Sequence, residues 1–158
     1  MLFTRPLVCV NVADPLLQEI RSELEAKDRR FSFLCGHDSN IASVLASLDA
    51  EDYVLPDTVE AKTPIGCKLV FERWLSEAGE AFYHVSLVYQ STDQLREYTR
   101  LSLDNPPMET ALSFDGVKAN ADGMIAEADL FALLDDAIGA YDELQEQYSE
   151  QEELPLAA

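Results

Sequence analysis

The feature that most constrains this chain is the passage Phe31-Ser32-Phe33-Leu34-Cys35-Gly36-His37-Asp38-Ser39-Asn40. Here an apolar run halts at Gly-His-Asp and gives way at once to helical spacing. An apolar run bounded by glycine reads as a buried strand, Phe31–Cys35. Asp38 or Ser39 is placed to cap the helix that follows, Ser39–Leu48, whose Ile41, Val44, Leu45 and Leu48 share one face. A strand end that meets a helix N-terminus presents free N–H groups and the positive end of the helix dipole, which favour an anion such as phosphate. His37 and Asp38 sit at that junction and are the candidate site residues.

The remaining pattern alternates helices with strands. Arg5 to Lys27 carries Val8, Val12, Leu16, Leu17, Ile20 and Leu24 at helical spacing, and Pro15 either opens a helix capped by Asp14 or kinks a longer one. Asp49 to Thr63 is a polar, proline-bearing loop. Gly66–Leu75 and Ala81–Gln90 read as strands joined through Glu77-Ala78-Gly79-Glu80, an antiparallel hairpin. Ser91 starts a short helical turn through Tyr98, and Leu101 and Leu103 precede the breaker Asn105-Pro106-Pro107. Glu109–Phe114 is a further strand, and Asn120-Ala121-Asp122-Gly123 a turn. Ala126–Leu144 is an amphipathic helix with Leu130, Leu133, Leu134, Ile138 and Tyr141 along one face. These elements predict a three-layer α/β fold, a mixed β-sheet flanked by helices, over residues 1–144. An acidic tail, 145–158, is expected to be disordered.

A chain of 158 residues with 47% apolar content is long enough to bury one core. Its 30 acidic and 11 basic residues give a net charge of −19, and no Lys or Arg follows Lys118. Nucleic acid and anionic membranes both need basic residues to neutralise their phosphates, so neither is expected as a partner. The three cysteines, Cys9, Cys35 and Cys67, show no metal-ligand spacing. Cys35 and Cys67 lie in strand-like runs and are expected as buried free thiols. The apolar run Leu7–Val12 is short and is followed by Asp14, not by a small-residue cleavage site. It is not read as a signal peptide, and a cytoplasmic chain is expected.

A lone His-Asp pair is short and unspecific, but it stands within an ordered series. Gly36-His37-Asp38-Ser39-Asn40-Ile41-Ala42-Ser43 is followed by Thr63-Pro64-Ile65-Gly66 and Lys68-Leu69-Val70-Phe71-Glu72-Arg73-Trp74. Then come Val88-Tyr89-Gln90-Ser91 with Gln94-Leu95-Arg96, and Ala121-Asp122-Gly123. In order and spacing this series resembles the C-terminal third of the histidine acid phosphatases, in particular their glucose-1-phosphatase and phytase-like branch. The resemblance implies that His37 contacts the phosphoryl oxygens and stabilises the transition state. It implies that Asp38 is the general acid that protonates the leaving alkoxide. No cofactor or metal is implied. Related sequences often carry two cysteines where this chain has Val117 and Ile125, and a small glycine where it has Cys67.

One departure from the family pattern is large. The family's nucleophile is a histidine in an Arg-His-Gly-x-Arg-x-Pro motif, whose arginines clamp the phosphate, and this sequence contains no such motif. Its second histidine, His84, lies in Phe82-Tyr83-His84-Val85-Ser86 and reads as a structural or surface strand residue. The expectation is a partial acid phosphomonoesterase, inactive alone, for a sugar phosphate or phytate once completed by the missing half. In the resembled fold the strand bearing the missing motif lies beside Phe31–Cys35, so a chain without it is prone to self-association. Full-length members of the family are periplasmic or secreted.

The rival reading is a non-catalytic α/β binding or interaction module derived from the same fold. A metal-dependent His-Asp phosphohydrolase would need a histidine before His37, and none exists. A serine hydrolase would need a G-x-S-x-G elbow, also absent. Thr63-Pro64-Ile65-Gly66 is too short and glycine-poor for a phosphate loop.

Overall fold

In order along the chain, the elements are α1 (Pro6–Glu25), α2 (Asp38–Ser47), β1 (Lys68–Leu75), β2 (Ala81–Tyr89), α3 (Thr92–Arg96), β3 (Met108–Ala111), β4 (Ile125–Ala126) and α4 (Glu127–Glu152). They come from a computed structural model that describes residues 6–26 and 28–152. The ends of the predicted first helix, Arg5 and Lys27, lie outside the described residues, as does 153–158.

The sheet forms where the sequence alternates. Along β2, Tyr83, Val85, Leu87 and Tyr89 are buried in the core, while Phe82, His84, Ser86 and Val88 face the other way. β1 pairs antiparallel with β2 from Lys68↔Val88 to Leu75↔Ala81, the predicted hairpin. Ser76 N–H donates to Glu80 O, and Gly79 takes φ +83°, a conformation that glycine adopts without steric cost. β3 and β4 also pair antiparallel with β2, giving the order β1-β2-β3 with β4 beside β2. The α/β class is the predicted one; the sheet, expected to be mixed, pairs antiparallel at every strand among the described residues and is flanked by helices.

Helices close the core. α4 lays Leu130, Leu134 and Ala137 against the sheet, and α1 packs on α4 through a stripe of Cys9, Ala13, Leu17 and Ile20. Arg21 Nε donates to Asp135 Oδ1 at 2.9 Å and its guanidinium lies 4.0 Å from the Phe131 ring centre, which fixes how α1 and α4 meet. Tyr83 Oη lies 3.3 Å from both Leu24 O and Glu127 Oε2, and Arg73 Nε donates to that same carboxylate oxygen at 2.8 Å. Val117 and Ile125 both pack into the core.

Three expectations are corrected, and the two readings of Pro15 are resolved in favour of the longer helix. Phe31–Cys35 forms no strand and pairs with none among the described residues, and Phe31 and Phe33 are 82% and 65% exposed. The segment is held instead at its start, where Glu23 accepts from Ser32 Oγ and Arg29 Nη1. With no neighbouring strand the backbone groups turn to water, and with no facing layer the rings stay in solvent. Cys35 is therefore exposed, and Cys67 half-buried, while Cys9 is the buried thiol. Pro15 does not open α1 but lies inside it, on the exposed side, where water can satisfy the carbonyl that proline leaves unpaired. Asp14 is buried within that helix and accepts from Gln18 Nε2 at 3.0 Å. Finally, α4 runs past Leu144 to Glu152, so the first part of the expected tail is helical.

Candidate active site

α2 begins one residue earlier than its sequence suggests, at Asp38, with His37 as the N-cap in extended conformation. Asn40 makes the cap. Its Oδ1 accepts from the His37 N–H at 2.9 Å, while the Asn40 N–H donates to His37 O at 3.0 Å. Asp38 Oδ1 accepts from the Ser39 N–H at 2.8 Å. The carboxylate thus satisfies one of the orphan donors of the first turn and lies at the positive end of the dipole. Gly36 fits this arrangement closely: a Cβ there would lie 3.1 Å from Asn40 Oδ1, so the amide would have to shift by a few tenths of an ångström.

α2 is held in place from two sides. Ala42, Val44, Leu45 and Leu48 bury its inner face, packed against α1. Beyond its C-terminus the chain is tied to the segment after β3, where Glu51 N–H donates to Ser113 O and Asp115 N–H to Asp49 O. The helix start therefore stands on a rigid frame although His37 and Asp38 are themselves exposed.

The two residues share a cavity of about 370 Å³ with Glu60, Thr63, Pro64 and Cys67. Thr63-Pro64-Ile65-Gly66 thus forms its opposite wall. The segment turns back on itself, with Cys67 N–H donating to Pro64 O at 3.0 Å, Pro64 fully buried and Gly66 at φ +71°. Burial pushes the Cys67 thiol above its ordinary pKa, Lys68 opposes that, and the Asp38 charge adds to it. Among the described residues the cavity lining holds two carboxylates, Asp38 and Glu60, and no Lys or Arg. His84 is not part of it: it lies on β2, 3.5 Å from Glu72 and from Glu109.

Sequence reasoning singled out His37 and Asp38, which line this cavity, but assigned no role to Asn40, Glu60 or the Thr63–Cys67 wall. The His37-x-x-Asn40 spacing is that of a capping box and was the available signal for Asn40. Nothing in the sequence announces that the wall faces the helix start, because the two are brought together only by the path of the loop.

Comparisons with known proteins show the family and the fold. The chain is 37% identical over 142 residues to the glucose-1-phosphatase of Providencia rettgeri, covering 87% of this chain and 34% of that protein. It is 43% identical over 127 residues to the glucose-1-phosphatase of Salmonella typhimurium, covering 77% and 30%. Its fold superposes on Hafnia alvei phytase in complex with tartrate with a TM-score of 0.75 at 28% identity, over 87% of this chain and 37% of that one. The phytase of Citrobacter braakii gives 0.74 at 28%, over 85% and 37%. The chain thus spans about a third of the length of the curated relatives it matches. The family model described as histidine phosphatase superfamily (branch 2) matches residues 4–90. By this match and by its fold, the chain belongs to the histidine phosphatase superfamily, branch 2.

Proposed function

We propose that this chain is the C-terminal portion of a glucose-1-phosphatase- or phytase-like acid phosphatase, carrying the phosphate-contacting and proton-donating residues but unable to hydrolyse a phosphomonoester by itself. His37 and the positive end of the α2 dipole stabilise charge on the phosphoryl oxygens. Asp38 is the general acid. Its Oδ1 is committed to the Ser39 N–H, which leaves Oδ2 to carry the proton for the leaving alkoxide.

The observation that carries the second half of the reading is the charge of the cavity. A phosphomonoester entering it meets Asp38 and Glu60 with no Lys or Arg in the lining to offset them. Phosphoryl transfer depends on holding the group in line and neutralising it. In the resembled family that work falls to the Arg-His-Gly-x-Arg-x-Pro motif, absent from this sequence.

Purified chain incubated with p-nitrophenyl phosphate between pH 3 and 7 is expected to show no turnover above background. Activity that vanishes on His37→Ala would overturn the reading. Joining the chain to a relative's segment that bears the arginine-flanked histidine is expected to generate activity that depends on both histidines.

A further inference from the structure

The face of the sheet opposite the core carries a second cluster, remote from the reaction above. Glu72 on β1 is the direct cross-strand partner of His84 on β2. Glu109 on β3 reaches the same imidazole from the other side. His84 Nδ1 lies 3.5 Å from Glu72 Oε2 and 3.5 Å from Glu109 Oε1, and the three ligand atoms all lie within 4.8 Å of one another. Among the described residues no Lys or Arg forms an ion pair with either carboxylate. Two carboxylates thus converge on one imidazole in a chain of net charge −19.

Ser86 supplies a second, independent observation. It follows His84 by two residues on β2, so it points to the same face; it is 0% exposed, and its Oγ has no hydrogen-bond partner among the described residues. A buried hydroxyl without a partner is a costly group in a native sheet.

We infer that Glu72, His84 and Glu109 form a binding site for a divalent first-row transition ion of the Zn²⁺ class. Ligands at about 2.0–2.2 Å from a tetrahedral Zn²⁺ lie about 3.3–3.6 Å from one another, which brackets the two observed 3.5 Å separations. One imidazole nitrogen and two carboxylates suit Zn²⁺ and not Mg²⁺ or Ca²⁺, which take more oxygen ligands and little nitrogen. The side chains are 23%, 50% and 49% exposed for His84, Glu72 and Glu109, so the fourth position opens to water. A cation with its bound water supplies the positive charge the carboxylates lack and a hydrogen-bonding group on the face that holds Ser86. Because its ligands come from three adjacent strands, the ion staples β1, β2 and β3 together.

Equilibrium dialysis of the purified chain against Zn²⁺ tests this, with Cys35→Ser as the background to remove the exposed thiol. One ion per chain is expected, together with a rise in melting temperature. His84→Gln and Glu109→Gln are each expected to weaken binding by at least the roughly 10–100-fold that loss of an outer-shell partner alone costs, and to abolish the thermal shift. Circular dichroism of both variants without metal checks that the sheet is intact, and Co²⁺ in place of Zn²⁺ reports the site by its visible spectrum. Zn²⁺ binding unchanged in His84→Gln, or no saturable one-to-one binding in the parent, would overturn the inference.

Discussion

The His37 backbone N–H donates to Asn40 Oδ1 at 2.9 Å, and the Gly36 Cα hydrogen points where any side chain would meet that same oxygen at 3.1 Å. Three residues of the motif thus serve one cap. Asn40→Ala is expected to destabilise the chain by about 0.5–2 kcal/mol, the ordinary cost of losing a cap side chain. Gly36→Ala should destabilise in the parent by displacing Asn40, yet cost little more in the Asn40→Ala background. Urea unfolding of the two single variants and the double variant measures this coupling; strictly additive losses would show that Gly36 serves something other than the cap.

Asp38 and Cys67 line the same cavity from opposite walls. Burial is the main cause of the raised Cys67 pKa, and the Asp38 charge adds to it. Only the thiolate reacts with alkylating reagents, so Cys67 should label slowly near neutral pH, and much more slowly than exposed Cys35. Asp38→Asn removes one of the charges that disfavour the thiolate. Its Cys67 labelling rate at pH 8, measured by mass spectrometry in a Cys35→Ser background, is expected to rise. An unchanged rate would separate the two walls.

Phe31, Phe33 and Leu34 stand exposed on a segment that has no strand partner among the described residues. Such an edge pairs with another chain when one is available. Sedimentation is expected to show concentration-dependent association at low micromolar levels. Phe33→Ser removes one ring whose burial is worth roughly 1.5–3 kcal/mol, so the association constant should fall at least about tenfold. A compact monomer at every concentration would refute this.

In an enzyme completed with the arginine-flanked histidine, Asp38→Asn should cripple hydrolysis of a sugar phosphate far more than that of p-nitrophenyl phosphate. A poor leaving group needs the proton and a good one departs without it, and general acids contribute on the order of 10²–10⁴-fold. His37→Ala removes stabilisation of the phosphoryl group itself and should slow both substrates alike. The ratio of kcat/KM losses decides. Equal losses for Asp38→Asn would leave Asp38 with its contact to the Ser39 N–H alone.

What the sequence determined by itself is whatever depends on near neighbours. The hairpin is written in the alternation of Phe82 to Tyr89 and in Gly79, because pleat and turn geometry are set within a few residues. α2 and α4 follow from helical spacing of Leu and Ile, and the short α3 from Ser91 and its capping partner Gln94. His37 and Asp38 were legible for the same reason, since a cap and its helix are contiguous. Tertiary structure decided the rest. The run Phe31–Cys35 has the composition of a buried strand, but burial requires a facing layer and a ladder partner that no local pattern can supply. The second wall of the cavity, and the convergence of Glu72, His84 and Glu109 from three strands, exist only because loop path and strand register bring distant residues together.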